Sequence, residues 1–429
     1  MVNIKLKNGF IVTEKGVERR DCILSDGKID LSGRTDACER EIDISGKYAV
    51  PGFVDIHFHG MNLFDFTLGQ FNQQTNAFDA SPSAYENGLR MLRKTLPAFG
   101  VTRFLVGTFA ASTDSLRHSY GCLAGFMKKG QDPAEGAIVL GGNLEGSFIS
   151  PDMAGAQNPE YVFKPSPEAF DRIEDKGTIK TALVGPDSGE PALALTKYLT
   201  GKGIVVGAGH TNASCRQFLD AVEAGVKYCV HFTNGPTGGS YKPFNGGGAV
   251  EAVLKTKKLF AELIADGYHV NPLYIRDIIK RKGIGKIIGM TDCMFVAGSS
   301  LKRINLSGVP GAVSDDGKYI AVENKKNTLF GSVLAMSTGF ENMLNWLTSR
   351  TEGIWNQTHP ALDFEKAVSA ASRFYSTNPC RLMKLRGYGR IKDGAKADIA
   401  ILDISGSPGS YKVKVHSTIV DGAIAYTKD

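Results

Sequence analysis

The chain has 429 residues, of which 42% are hydrophobic and 22% charged. That is more than one ordinary domain needs, and enough for a large core plus a smaller partner. The formal net charge of +6, from 50 basic and 44 acidic residues, is mild. The short basic clusters at Lys280-Arg281-Lys282 and Lys325-Lys326 read as solvated helix ends, too short for a nucleic-acid arm. Seven scattered cysteines without a CxxC pair exclude a disulfide scaffold and a zinc finger, and fit a reducing, cytoplasmic setting. No apolar run is long enough for a membrane span, and the opening residues carry no secretory signal, so neither membrane nor nucleic acid is an expected partner.

In chain order, the first fifty residues read as short strands and turns: Ile4-Lys5-Leu6, then Phe10-Ile11-Val12, with turns at Lys7-Asn8-Gly9 and Ser25-Asp26-Gly27-Lys28. The last fifty have the same texture, with Ala397 to Leu402, Val413 to Ile419 and Ala423 to Tyr426 as candidate strands. The expectation is one small β domain built from residues 1–50 and 380–429. Residues 51–379 alternate short apolar strands with amphipathic stretches such as Phe218 to Ala224 and Pro272 to Arg281. Candidate strands end near Ile56, Gly107, Leu144, Val184, Ala208, His231, Ala265 and Thr291. Eight βα units predict an α/β fold with a closed (β/α)₈ TIM-type barrel. No G-x-G-x-x-G follows the first strand, which disfavours a nucleotide-binding open sheet. Residues 234–248, rich in Gly, Pro, Ser and Asn, read as a long functional loop.

Only eight histidines occur, and four stand at predicted strand ends. His57 and His59 are two apart, so alternation points both imidazoles the same way. His210 and His231 close the fifth and sixth strands. Two acids follow strands in the same fashion, Glu145 after the third and Asp292 after the eighth. In a parallel barrel these ends meet on one face. Buried acids at such positions are costly unless paired, metal-bound or catalytic, and imidazole with carboxylate suits a divalent cation. His118, His359 and His416 fall outside this pattern. Cys293, beside Asp292, reads as core packing, because no activating base is needed where a metal activates water.

The segments Pro51 to Gly60, Leu144-Glu145-Gly146, Gly155 to Tyr161, Gly209 to Ala213, His231 to Asn234, Ala265 to Val270 and Gly389 to Asp398 resemble the N-acetylglucosamine-6-phosphate deacetylases of the amidohydrolase superfamily. The resemblance implies that Glu145, His210 and His231 hold the main metal and His57 and His59 a second one. It makes Asp292 the general acid/base and His269 a neighbour of the sugar phosphate, with Asn234 and Gly235 contacting substrate. It further implies a divalent metal (zinc, with iron or manganese as alternatives), a small amino-sugar phosphate as partner, and a homodimer. Three of the positions that depart from the family pattern bear on the site. Gln157 stands where the family has a histidine that polarises the amide carbonyl; it can donate a hydrogen bond but carries no proton. Lys242 stands in place of a phosphate-binding arginine and keeps the charge without the bidentate fork. Ser147 replaces a usual proline. The implied reaction is hydrolysis of an acetamide to acetate and an amino sugar, with Asp292 relaying the proton to the leaving amine. The alternative is another amidohydrolase activity, on a different N-acyl sugar or a cyclic amide. In cyclic amidases a lysine at the end of the fourth strand is often carboxylated to bridge two metals; here the resemblance gives the metal-binding carboxylate role to Glu145, which disfavours that branch.

Overall fold

The computed structural model describes residues 3–32, 38–174, 176–234, 246–354 and 357–428. Eight parallel strands lie in sequential order: β1 (Phe53–Asp55), β2 (Val101–Thr108), β3 (Ile138–Leu144), β4 (Ile179–Val184), β5 (Val205–Ala208), β6 (Tyr228–Cys229), β7 (Phe260–Ile264) and β8 (Ile287–Met290). Each is followed by a helix: α1 (Pro82–Thr95), α2 (Thr113–Lys128), α3 (Pro167–Ile173), α4 (Glu190–Gly201), α5 (Cys215–Ala224), α6 (Ala249–Lys255), α7 (Pro272–Lys282) and α8 (Met336–Thr348). The predicted strand ends and barrel class are borne out. Strands such as β2 are buried along their whole length, as expected of a sheet covered on one face by helices and filled on the other by side chains.

The helices start where their capping chemistry dictates. Ser81, Ser112, Ser166 and Ser214 each accept a hydrogen bond from a first-turn backbone N–H, and Ser214 with Gln217 forms a reciprocal capping box. The first and last strands meet beyond their regular spans. Asp292 donates its N–H to His57 O at 2.8 Å, Phe58 bridges Cys293 in parallel, and buried Asp55 accepts from the Thr291 hydroxyl at 2.6 Å. Those contacts close the barrel at the end that carries the candidate site.

Both chain ends contribute to a small β domain. One sheet joins the C-terminal strands Ile399–Ser405, Lys412–Val420 and Ala423–Thr427 to Tyr48–Pro51, Phe10–Thr13 and Gly16–Arg19; a second joins Ile4–Lys7, Cys22–Ser25, Lys28–Asp30 and Arg40–Asp43. Their shared core includes Leu6, Ile11, Leu24, Ala49, Ile399 and Ile419. Two antiparallel insertions were not anticipated from the sequence. One spans Gly60–Met61 to Ala77–Asp79 after β1, and the other runs from Arg303–Leu306 through Val309–Val313 and Tyr319–Val322 to Leu329–Ser332 after β8. The second presents Ile304, Leu306, Ile320, Val322 and Phe330 to Phe109 and Phe295 at the barrel mouth. Among the described residues no helix is long and apolar enough to cross a membrane.

The barrel and β domain are joined by a buried ion network. Arg103 of β2 donates to Asp398 at 2.7 Å and to Asp421 at 2.6 Å, and its guanidinium lies 3.8 Å from the Tyr388 ring centroid. Removing one partner of a buried pair strands the other's charge. Arg103→Met should therefore cost about 3–5 kcal/mol of unfolding free energy in denaturant titrations. A loss below about 1 kcal/mol, the range of an exposed pair, would show that Asp398 is satisfied without Arg103.

Candidate metal centre

The strand ends bring six expected side chains together. His57, His59, Glu145, His210, His231 and Asp292 are all buried around one point, and two overlapping trios have ligand atoms close enough to share an ion: His57, His59 and Glu145, and Glu145, His210 and His231. In the second trio, His210 Nε2 is 3.1 Å and His231 Nε2 3.0 Å from Glu145 Oε1, and the two nitrogens are 3.1 Å apart. Ligands on a tetrahedral ion with bonds of about 2.0–2.1 Å stand about 3.3 Å from one another. In the first trio, His59 Nε2 is 3.3 Å from Glu145 Oε2, and His57 Nε2 is 3.7 Å from Glu145 Oε1. Asp292 Oδ1 completes the ring at 3.1 Å from His59 and 3.6 Å from His57.

The proton positions follow from what lies behind each ring. His210 Nδ1 faces Met153 O at 2.9 Å and His59 Nδ1 faces Gly107 O at 3.2 Å. A carbonyl only accepts, so in both rings Nδ1 is the donor. When the ring is neutral, Nε2 then points a lone pair at carboxylate oxygens, an arrangement that only a cation between them makes favourable. In the metal-free protein a proton plays that part: burial works against the His59 imidazolium, but Asp292 and Glu145 raise its pKa to about 10. Burial likewise opposes ionisation of Glu145 and Asp292. The positive charge of His57, joined by hydrogen bonds from His210 and His231 to Glu145 and from His59 to Asp292, holds both below the usual carboxylate range.

The backbone is bent to make this convergence. His210, His231 and Asp292 have φ of 46°, 25° and 53°, left-handed conformations that non-glycine residues adopt at a cost. Ser147 has φ of 74°, which a proline, fixed near −65°, could not adopt; the exchange seen in the sequence thus follows from this chain's own turn. Two glycines allow close approaches. A Cβ on Gly146 would lie 2.1 Å from Ala110 N, and one on Gly331 would lie 2.5 Å from Asp292 O.

A cavity of about 390 Å³ opens over the cluster. Gln157 and Asn234 line it. Gln157 Oε1 accepts the Ala110 N–H at 2.7 Å, so the amide's NH₂ end is the one left for a ligand. His269 departs from expectation and does not line the cavity. Its Nδ1 is 2.6 Å from Asp266 and its Nε2 is 3.1 Å from Phe330 O. With both nitrogens committed, it ties the strand Leu329–Ser332 to β7 instead of facing a phosphate. Gly235 and Lys242 lie outside the described residues. Lys325, read from sequence as a solvated helix end, belongs to the insertion after β8 and lines the cavity, with Nζ 2.8 Å from Gly155 O. Sequence reading also missed Glu262, a buried acid in the middle of β7 that contacts His57. Its signal was present: one carboxylate among Phe260, Ala261, Leu263 and Ile264. Cys293 is buried and burial pushes its thiol well up, in keeping with a packing role. His118 and His359 bond to Ala80 O and Asp277 away from the cluster.

The barrel, with imidazoles and carboxylates gathered at its C-terminal mouth, has the architecture of metal-dependent hydrolases. The amidohydrolase family model matches residues 48–425, and the chain belongs to that family. It is 28% identical over 432 residues to an N-acetylglucosamine-6-phosphate deacetylase of Lysinibacillus sphaericus, covering 99% of this chain and 98% of that one. It is 27% identical over 357 residues to an N-acetylgalactosamine-6-phosphate deacetylase of Escherichia coli O157:H7, covering 82% and 83%. In fold it resembles the crystal structure of N-acetyl-D-glucosamine-6-phosphate deacetylase from Mycobacterium smegmatis, with a TM-score of 0.78 at 23% identity over 99% of this chain and 100% of that one.

A metal ion entering the His59 side must displace the proton that this ring holds up to about pH 10. Metal affinity there should rise about tenfold per pH unit between roughly pH 7 and 9, with about one proton or more released per ion. Calorimetry of the metal-free protein in buffers of different ionisation enthalpy measures that release. A pH-independent affinity would place the ion away from His59.

Proposed function

We propose that this chain hydrolyses the acetamide of an N-acetyl amino-sugar phosphate, of the N-acetylglucosamine-6-phosphate type, to acetate and the amino-sugar phosphate. The observation that carries the reading is the buried trio of Glu145, His210 and His231 facing Asp292 across one cavity, in a chain alike from end to end to a deacetylase of that substrate. The division of labour assigns Glu145, His210 and His231 to the main ion and His57 and His59 to a second. Zinc is the proposed metal, with iron or manganese as alternatives; imidazole with carboxylate suits all three. The bound ion supplies Lewis acidity, which activates water and polarises the carbonyl. Asp292, kept ionised, accepts the water's proton and passes it to the leaving nitrogen. The Gln157 NH₂ donates to the carbonyl oxygen as charge develops there, in place of an imidazolium. Asn234 and Gly235 hold the sugar.

The phosphate needs positive charge at the cavity mouth. Lys242 is proposed for this from its place in the sequence, and Lys325 from its place on the wall. Assembly as a homodimer in the cytoplasm, and a division of the chain at residues 50 and 380, belong to the same reading. The related deacetylases act on either of two hexosamine epimers, so acetate release across N-acetylhexosamines, with and without the 6-phosphate, is the decisive assay. A phosphorylated substrate should lead. If an unphosphorylated sugar or a cyclic amide is turned over faster, the alternative amidohydrolase reading takes its place.

Two variants test the roles. Asp292→Asn should retain metal while lowering kcat by on the order of 10²-fold or more, whereas Glu145→Gln should lose metal, because an amide is a poorer ligand than a carboxylate. Equal metal loss in both would mean that their roles are misassigned. Lys242→Ala and Lys325→Ala should each weaken kcat/KM for the phosphorylated sugar by roughly 10- to 100-fold, the effect of losing one charge-assisted contact. Neither should alter turnover of the unphosphorylated analogue. A substitution that slows both substrates equally marks a lysine that only shapes its loop.

A further inference from the structure

We propose that Glu262 is a positioning residue for His57, fixing the ring that the second ion of the proposed function would use. The inference rests on the reading of His57 and His59 as metal ligands. Glu262 is the one polar residue in the buried strand Phe260–Ile264 and is 1% exposed. Its carboxylate stands 3.4 Å from His57 Nδ1. A carboxylate accepts, so Nδ1 carries a hydrogen and Nε2 is the nitrogen left to face an ion. That Nε2 is buried and has no hydrogen-bond partner, although Asp292 Oδ1 and Glu145 Oε1 stand 3.6 and 3.7 Å away.

Two of the other rings are oriented more cheaply. His59 and His210 lean on the carbonyls of Gly107 and Met153, which fix the tautomer without adding charge. At His57 the chain instead buries a third carboxylate beside Glu145 and Asp292, in a barrel core that disfavours charge. A carboxylate behind a ligating imidazole both fixes its orientation and raises its basicity. Glu262 is therefore fitted to strengthen His57 as a ligand, and the first site, built on Glu145, His210 and His231, does not need it.

The test is metal stoichiometry and affinity, independent of turnover. Protein expressed with supplemented metal is dialysed against graded chelator and analysed for metal content. The parent should retain about two ions per chain. Glu262→Gln, isosteric but neutral, should hold the second ion about 10- to 100-fold more weakly while keeping the first unchanged, and Glu262→Asp should recover part of the difference. Near-ultraviolet circular dichroism checks that the variants fold; should the Gln variant fail to fold, the Asp variant must still show selective weakening of the second ion. A parent that holds a single ion would overturn the metal-ligand reading of His57 and His59, and the inference with it. A parent with two ions whose affinities Glu262→Gln leaves untouched, or lowers equally, would leave that reading intact and overturn the role of Glu262 alone.

Discussion

Everything at the barrel mouth depends on one electrostatic constraint: imidazoles whose far nitrogens are hydrogen-bonded to acceptors must turn their near nitrogens toward carboxylates. His59 and His210 are fixed in this way by the carbonyls of Gly107 and Met153, and Glu145 and Asp292 lie opposite them. Two sets of acceptors cannot face each other in a buried site unless a positive charge stands between them. Protons meet the requirement in the metal-free protein, which is why burial fails to keep His59 neutral. A metal ion meets it better, because it engages several lone pairs at once. The site is thus poised between two kinds of cation, and the same geometry explains both the perturbed titration and the capacity to hold metal.

That geometry is expensive for the backbone, and the barrel meets the cost. Three of the converging residues, His210, His231 and Asp292, sit in left-handed conformations, each worth about 1–3 kcal/mol of strain. What holds them is the strand pairing just below, together with contacts that tie neighbouring strand ends to one another. Asp292 is clamped on two sides: its N–H donates to His57 O, and its carbonyl accepts the Ser332 N–H at 2.6 Å. Gly331 permits that second approach. Asp55 joins the first and last strands through Thr291 and accepts the His57 backbone N–H at 3.3 Å, so one carboxylate ties the seam of the barrel to the start of the HxH pair.

Much of this was legible in the sequence for a physical reason. Parallel strands buried on both faces read as apolar runs, and a polar residue that ends such a run stands out: His57, Glu145, His210, His231 and Asp292 were all visible in that way. The small β domain was legible because alternation and Gly-containing turns recur at both chain ends. Glu262 was missed because it lies inside a strand and not at its end, where the search was directed. The two antiparallel insertions were missed because their strands are only two to five residues long, too short for their alternation to stand out. His269 was misplaced for a different reason: motif position locates a backbone, whereas the partners of a ring, here Asp266 and Phe330 O, are settled by tertiary packing.

The insertion after β8 shows how one fold separates chemistry from selectivity. The reacting groups stand on barrel strand ends, where pairing fixes them closely. The cavity wall above them belongs to loops. Lys325 reaches from the insertion to Gly155 O, and Asn158 reaches back to Ser307 O at 3.0 Å. Those two bonds tie the insertion to the loop that carries Gln157. Gln157 belongs to this wall and stands apart from the ligand cluster. A change at that position alters the cavity wall, while the strand ends keep the ligand cluster. Gln157 lies on a loop, outside the ring of groups that must balance one another's charge.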